Sequence, residues 1–225
     1  MTEQNRGAHL RAQGILEAAE HAMGTVEARA RIHSVSAVAA CRGPKFEYET
    51  RIVSDRMGNL SLQQILPNRK NIAGIAEGRG SGLNPAGQPE PIDAAETFYL
   101  RLHEFPLLAL DLAKRFREFR TVGYRKIDGV PTDHLSMVDD LGSPASAFLS
   151  TTTHLPVGLT TTNPRSEGPP TLETRFDGWR LLEGVYLVSH VTLGSAADRW
   201  TFDFRTLEIN TAEPEVFGIP GDLSP

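Results

Sequence analysis

Cysteine is nearly missing from this 225-residue chain, which has only Cys41. One thiol forms no intrachain disulfide and rules out a zinc site built from several cysteines. A free thiol fits a reducing compartment best, although a single buried one is tolerated outside the cytosol. An excess of positive charge is missing too. The 23 Lys and Arg against 28 Asp and Glu leave a net charge of −5. No general field for gripping phosphates exists, and no nucleic-acid partner is expected. Long apolar runs are also lacking: none approaches the roughly 20 residues that span a bilayer, so no transmembrane segment is expected. The start, Met1 to Arg6, is polar and is not followed by an apolar stretch with a small-residue cleavage site. The expected location is therefore the cytoplasm, or the periplasm if a signal peptide has been removed.

What is present is an ordinary globular balance, 40% hydrophobic and 23% charged. Leu10, Ile15, Leu16, Ala19 and Met23 recur at helical spacing, with Gly24 as a stop and a short second turn over 26–30. From Ile32 the period changes to two. Segment 32–41 is rich in Val and Ala and ends at Arg42-Gly43-Pro44. Over 45–54, Phe46, Tyr48, Thr50 and Ile52 alternate with Glu47, Glu49 and Arg51. Leu60, Leu62, Gln64 and Leu66 then alternate with Ser61, Gln63 and Ile65, and a weaker strand follows over 71–76. Short turns between these segments read as an antiparallel meander. Residues 74–91 hold five glycines and three prolines and read as loop or irregular edge strand. Gly78-Arg79-Gly80-Ser81-Gly82 is no phosphate cradle, because no Gly-Lys-Ser/Thr and no helix follow it.

Asp93 with Glu96 three residues on is a capping box. Ala95, Phe98, Leu102 and Phe105 form an apolar stripe that Pro106 breaks or kinks. Leu108, Leu112, Phe116 and Phe119 continue it, with Asp111, Lys114, Arg115, Arg117 and Glu118 on the wet side. Strands resume over 123–127 and 132–138 around the Asp128-Gly129 turn, then over 147–151, 157–162, 172–176, 186–193 and 199–210. About ten strands, an N-terminal helix and two mid-chain helices imply an α+β, mainly antiparallel β, fold: a strongly curved sheet or an open barrel, with helices packed inside its mouth. No linker or repeat interrupts the pattern, so residues 1–225 are expected to form a single domain.

Several landmarks carry a family resemblance. They are Tyr124-Arg125-Lys126-Ile127-Asp128-Gly129-Val130-Pro131-Thr132, Thr151-Thr152-Thr153-His154-Leu155-Pro156-Val157, Glu183-Gly184-Val185-Tyr186-Leu187, and the ending Leu207-Glu208-Ile209-Asn210 with Phe217-Gly218-Ile219-Pro220. Over about residues 14–220 this order of helix, meander, Gly-rich edge, helix pair and second meander resembles the LolA/LolB-like superfamily of periplasmic lipoprotein carriers and their sensor relatives. The resemblance implies a half-open β-barrel with a two-helix lid over an apolar cavity that takes up acyl chains or another lipid-like ligand.

The residues offer material for such a cavity. Trp200, Phe202 and Phe204 share one face of the last strand, and Thr201, Asp203 and Arg205 share the other. Phe46, Tyr48 and Phe148, with Phe98, Leu102 and Phe105 of the helices, complete the candidate ligand-binding set; packing of an ordinary core is the competing role for each. No catalytic residue is assigned. The seven histidines form no His-x-His or His-Glu-x-x-His pair, no Gly-x-Ser-x-Gly elbow is present, and Cys41 has no activating neighbour in sequence. His103, beside Glu104, is expected at a surface or cap. The basic run 114–117 with Arg120 is expected to be a solvated helix face, with contact to an anionic lipid or a partner protein as the weaker reading. The leading expectation is a binding or carrier protein for a hydrophobic, lipid-like ligand, without cofactor or metal. The alternatives are a cavity enzyme (cyclase, isomerase or hydrolase) acting on an apolar small molecule, and a lipid-sensing regulatory domain that signals to a partner.

Overall fold

In the computed structural model residues 3–165, 170–195 and 198–217 are described. Helix α1 (Glu3–Met23) stops at Gly24, whose φ of +149° ends the helical path, and the short α2 (Val26–Ala30) follows. Thr25 caps α2, its hydroxyl accepting from the Ala28 amide at 3.1 Å. Six strands come next: β1 (Ser34–Arg42), β2 (Glu47–Asp55), β3 (Leu60–Ile65), β4 (Lys70–Ala76), β5 (Arg79–Leu83) and β6 (Pro89–Pro91). Three short helices interrupt: α3 (Ala94–Arg101), α4 (Phe105–Leu110) and α5 (Leu112–Arg115). Then come β7 (Arg117–Ile127), β8 (Val130–Val138), β9 (Pro144–Ser150), β10 (Pro156–Thr162), β11 (Thr171–Asp177), β12 (Arg180–Leu182), β13 (Val185–Leu187), β14 (His190–Gly194) and β15 (Arg199–Ile209). A 3₁₀ turn occupies Pro214–Phe217; the Gly218-Ile219-Pro220 landmark lies outside the described residues.

Thirteen strands form one antiparallel sheet in the order β6-β5-β4-β3-β2-β1-β15-β14-β11-β10-β9-β8-β7, and β12 and β13 form a separate ribbon. The first and last long strands pair at the centre, and a meander runs outward from each. The sheet is curved and not closed, because β6 and β7 end it without meeting. Two-residue hairpins at Glu77-Gly78, Asp128-Gly129 and Glu183-Gly184 have positive φ at both positions, the geometry that matches strand twist. At the far end of β15, Asn210 (φ +59°) accepts from the amides of His33 and Ser34 at 2.7 and 3.2 Å and donates to Arg31 O at 2.7 Å. That one side chain ties the last strand to the start of the first.

The concave face is filled from both sides. Inward residues of β1 are small (Ala37, Ala39, Cys41), and the partners of Ala39 and Cys41 across β15 are Phe204 and Phe202. Large beside small fills the layer without overpacking. Against these rings sits α4, in which every residue is buried. Pro106 lies in its first turn, where a missing N–H costs nothing.

Three expectations about the helical segment need correction. The helical stripe does not run on to Phe119: Phe116 turns extended at φ −133°, ψ 165°, and Phe119 is a buried residue of β7. Asp111 and Arg115 are not on a wet face. Arg56 grips Asp111 in a bidentate pair at 2.8 and 2.7 Å, and Arg115 lies 2.6 Å from Glu104. His103 is not at the surface, being only 5% exposed; the cap it provides is a buried one, its ring nitrogen reaching the Tyr99 carbonyl in the last turn of α3. Helical spacing alone does not reveal that the segment is wrapped by sheet on more than one side. Among the described residues there are fifteen strands where the sequence suggests about ten: the Gly/Pro-rich stretch forms β5 and the edge strand β6, β12 is added, and the segment expected as one strand over 186–193 divides into β13 and β14.

Candidate functional site

Strands β2 to β5, helix α3 and the ends of β14 and β15 surround a cleft of about 560 Å³. One wall is aromatic. Phe46 and Tyr48 meet Trp200 edge-on at centroid distances of 5.2 and 5.5 Å, and lie 5.9 Å from each other. Backbone geometry seats this indole: a Cβ on Gly43 would fall 2.2 Å from the Trp200 ring, so only glycine allows the approach. Phe202 forms the base, backed by Phe105 at 4.7 Å, with Phe204 6.1 Å beyond Phe105.

His103 closes the inner end, packed between Tyr99, Phe105 and Phe202. Its Nδ1 lies 3.1 Å from the Tyr99 carbonyl, which only accepts, so Nδ1 carries the hydrogen. Burial outweighs that bond and pushes the His103 pKa down to about 4, so the ring is neutral at pH 7. On the next residue burial acts on an acid: Glu104 is pushed up to about 7 despite Arg115 and Arg101 beside it. The Arg115 contact is close but poorly directed, and neither Glu104 oxygen accepts a hydrogen bond.

A second wall is polar. Asn71 on β4 donates to Gln64 Oε1 at 3.2 Å, and Gln64 on β3 donates to the Tyr48 hydroxyl at 3.3 Å. This row crosses three strands. Burial raises the Tyr48 phenol far above its usual range, so it stays protonated. At the rim the Arg165 guanidinium stacks 3.6 Å over the Tyr99 ring and pairs with Glu96, Nε to Oε2 at 2.7 Å. Arg69 and Glu90 stand at the rim as well.

Of the expected ligand-binding set, Phe46, Tyr48, Trp200 and Phe202 line the cleft. Phe105 and Phe204 form the layer behind it, and Leu102 is in the core. Phe98 is buried on the other side of α3, against a separate groove with Ile92 and Leu141. Phe148 belongs elsewhere. It alternates with Ala147 and Leu149, which face the core, so its ring lies on the outer face, stacked on His134 at 4.9 Å beneath Arg125. Missing from the sequence-based set are Gln64, Asn71, Tyr99, His103 and Arg165. Gln64 carries a signal in the sequence: it stands in the inward phase of β3 with Leu60 and Leu62. Arg165 has none, because its partners on α3 are far away in the chain.

Other reactive groups lie outside the cleft or are quenched. Cys41 donates to Thr50 Oγ1 at 3.0 Å, and burial pushes its thiol up to about 12. Asp203 faces outward, where Arg42 and then His190 hold its carboxyl below the usual range. Among the described residues, no group of three His, Cys, Asp or Glu side chains is placed to hold a metal ion, and no helix is long and apolar enough to cross a membrane.

No family model matches the sequence, and neither does any curated protein. Solved structures do match the architecture. A LolA superfamily protein from Nitrosomonas europaea superposes with a TM-score of 0.64 at 12% identity, covering 92% of this chain and 97% of the other. A putative outer membrane lipoprotein-sorting protein domain from Vibrio parahaemolyticus gives 0.62 at 12% identity, with 93% and 97% covered. A DUF1329 family protein from Desulfovibrio piger gives 0.61 at 12% identity, with 92% and 96% covered. The fold is LolA-like: an open, curved antiparallel sheet around short helices, with an N-terminal helix that packs along β7 and buries its apolar face in the shared core.

Proposed function

We propose that this protein is a non-enzymatic carrier that works as one domain and holds an amphipathic, lipid-like molecule in the cleft beside Trp200. The observation that carries this reading is the pairing of two unlike walls. Phe46, Tyr48, Trp200 and Phe202 offer apolar surface to a chain, and Gln64 and Asn71 offer hydrogen bonds to a head group. The cleft volume of about 560 Å³ lies within the range of ligand sites. Each methylene buried is worth ~0.8 kcal/mol, so a chain of ten contributes on the order of 8 kcal/mol before entropy costs. Two of the structures sharing the fold are described as a LolA superfamily protein and a lipoprotein-sorting domain, which agrees with this class of ligand.

Binding follows from local packing. α4 is buried on all sides and fixed, so entry is by the rim, where Arg165 lies over Tyr99. Swinging that guanidinium aside widens the mouth without unfolding the sheet. Native mass spectrometry after gentle purification, with uptake of the fluorescent fatty acid cis-parinaric acid, tests the proposal. The expected result is a co-purifying apolar mass or saturable uptake, weakened about tenfold by Trp200→Ala. A clean apo mass with no uptake rejects it.

A further inference from the structure

The two margins of the sheet are unlike. At one, β6 is three residues long and has proline at both ends, which removes N–H groups from the edge. At the other, β7 runs for eleven residues and pairs only with β8. Helix α1 touches the first half of β7, where His9 Nδ1 lies 3.0 Å from Phe119 O and Thr121 donates to Ala8 O. Beyond that point residues 122–126 are all exposed, Val122 by 59% and Tyr124 by 83%.

The charge on this edge is opposite to that of the chain. β7 carries Arg117, Arg120, Arg125 and Lys126 against one acid, Glu118, in a protein of net charge −5. Among the described residues none of these four cations forms an ion pair; Arg117 donates to the Asp139 carbonyl and Arg125 lies over Phe148. Charges on an edge strand guard against self-pairing, since two copies of β7 would set cation against cation. The same charges favour an acidic strand. A purely solvated guard strand gains nothing from Val122 and Tyr124, whereas an added strand packs on both.

We propose that β7 is a docking edge for an extended, acidic segment of a partner protein, which adds to the sheet beside residues 122–127. Main-chain hydrogen bonds supply affinity, and Arg120, Arg125 and Lys126 supply the choice of acidic over basic sequence. The site stands apart from the cleft, which is framed by the other meander and the central strands, so it does not depend on the ligand reading.

The test uses the full chain and fluorescein-labelled peptides in which Val alternates with Glu or with Lys. Hydrogen exchange is followed with and without peptide. The Glu peptide is expected to bind about tenfold tighter than the Lys peptide, more weakly as salt rises, and to protect the 122–127 amides. Arg120→Glu with Lys126→Glu reverses the preference. Should that pair disturb folding, Tyr124→Ala lowers affinity for the Glu peptide several-fold with the charges intact. Equal binding of both peptides, or binding without protection of those amides, overturns the proposal. So does protection that grows with protein concentration alone, which marks self-pairing. Tight binding of phosphatidylglycerol vesicles with no peptide binding overturns it as well, and assigns the basic edge to a membrane surface.

Discussion

Two neighbouring residues oppose each other in their response to pH. His103 is held neutral in the fold, with its pKa pushed from 6.5 down to about 4. The unfolded chain therefore takes up this proton first, and stability from His103 rises with pH between about 4 and 6.5. Glu104 is pushed from 4.5 up to about 7, so the folded state holds its proton longer, and stability from Glu104 falls as pH rises through that window. Between about pH 4.5 and 6.5 the two slopes cancel. Thermal melts are expected to show it by subtraction. His103→Phe leaves a protein that loses stability from pH 4.5 to 7, and Glu104→Gln one that gains stability from pH 4 to 6.5. Identical slopes in both variants would refute the pairing. Gly43→Ala is a second residue-scale test. The new methyl falls on the Trp200 ring, so stability drops by about 1–3 kcal/mol by overpacking, and Trp200 fluorescence shifts as the indole moves.

At the level of elements, α4 and Asn210 carry the most weight. Leu107 and Leu110 are fully enclosed, so Leu107→Ala is expected to cost about 2–5 kcal/mol in chemical denaturation. A cost under 1 kcal/mol would mean that α4 is a movable cover rather than filling. Asn210→Ala removes the bonds that join the strand start at His33 to the end of β15, and is expected to cost about 1–3 kcal/mol. Asn210→Gly relieves the positive φ but not those bonds, so it recovers only part of the loss. Sequence alternation marks strands well here. The inward phase of β15, with Phe202 and Phe204, follows directly from a period of two, and the Asp128-Gly129 hairpin from its turn residues. The same period errs at Phe148, because both phases of β9 are apolar where Ala147, Phe148 and Leu149 run together. The segment after Pro106 is misjudged for a different reason. Charged residues at helical spacing look solvated in one dimension, but Asp111 and Arg115 meet Arg56, in the turn just after β2, and Glu104, just before α4.

For the whole molecule, the decisive fact is that β1 and β15 pair at the centre of the sheet, so both meanders curve around the same short helices. Strand order of this kind has no local signature; the order of landmarks along the chain carries the resemblance to an open curved barrel but not the pairing of the first strand with the last. The cleft inherits that limit. Its aromatic wall comes from strands that announce themselves, whereas its polar row and the Arg165–Tyr99 stack exist only once β4, β3, β2 and α3 are assembled. The central claim, that an acyl-type chain lies against Trp200, is tested most directly by quenching. The protein has two tryptophans, so Trp179→Phe leaves Trp200 as the sole emitter. Titration with dibromostearic acid is then expected to quench that emission to saturation at equimolar ligand, and less so in the Gly43→Ala background. Unchanged emission under conditions where the protein is folded would contradict the claim.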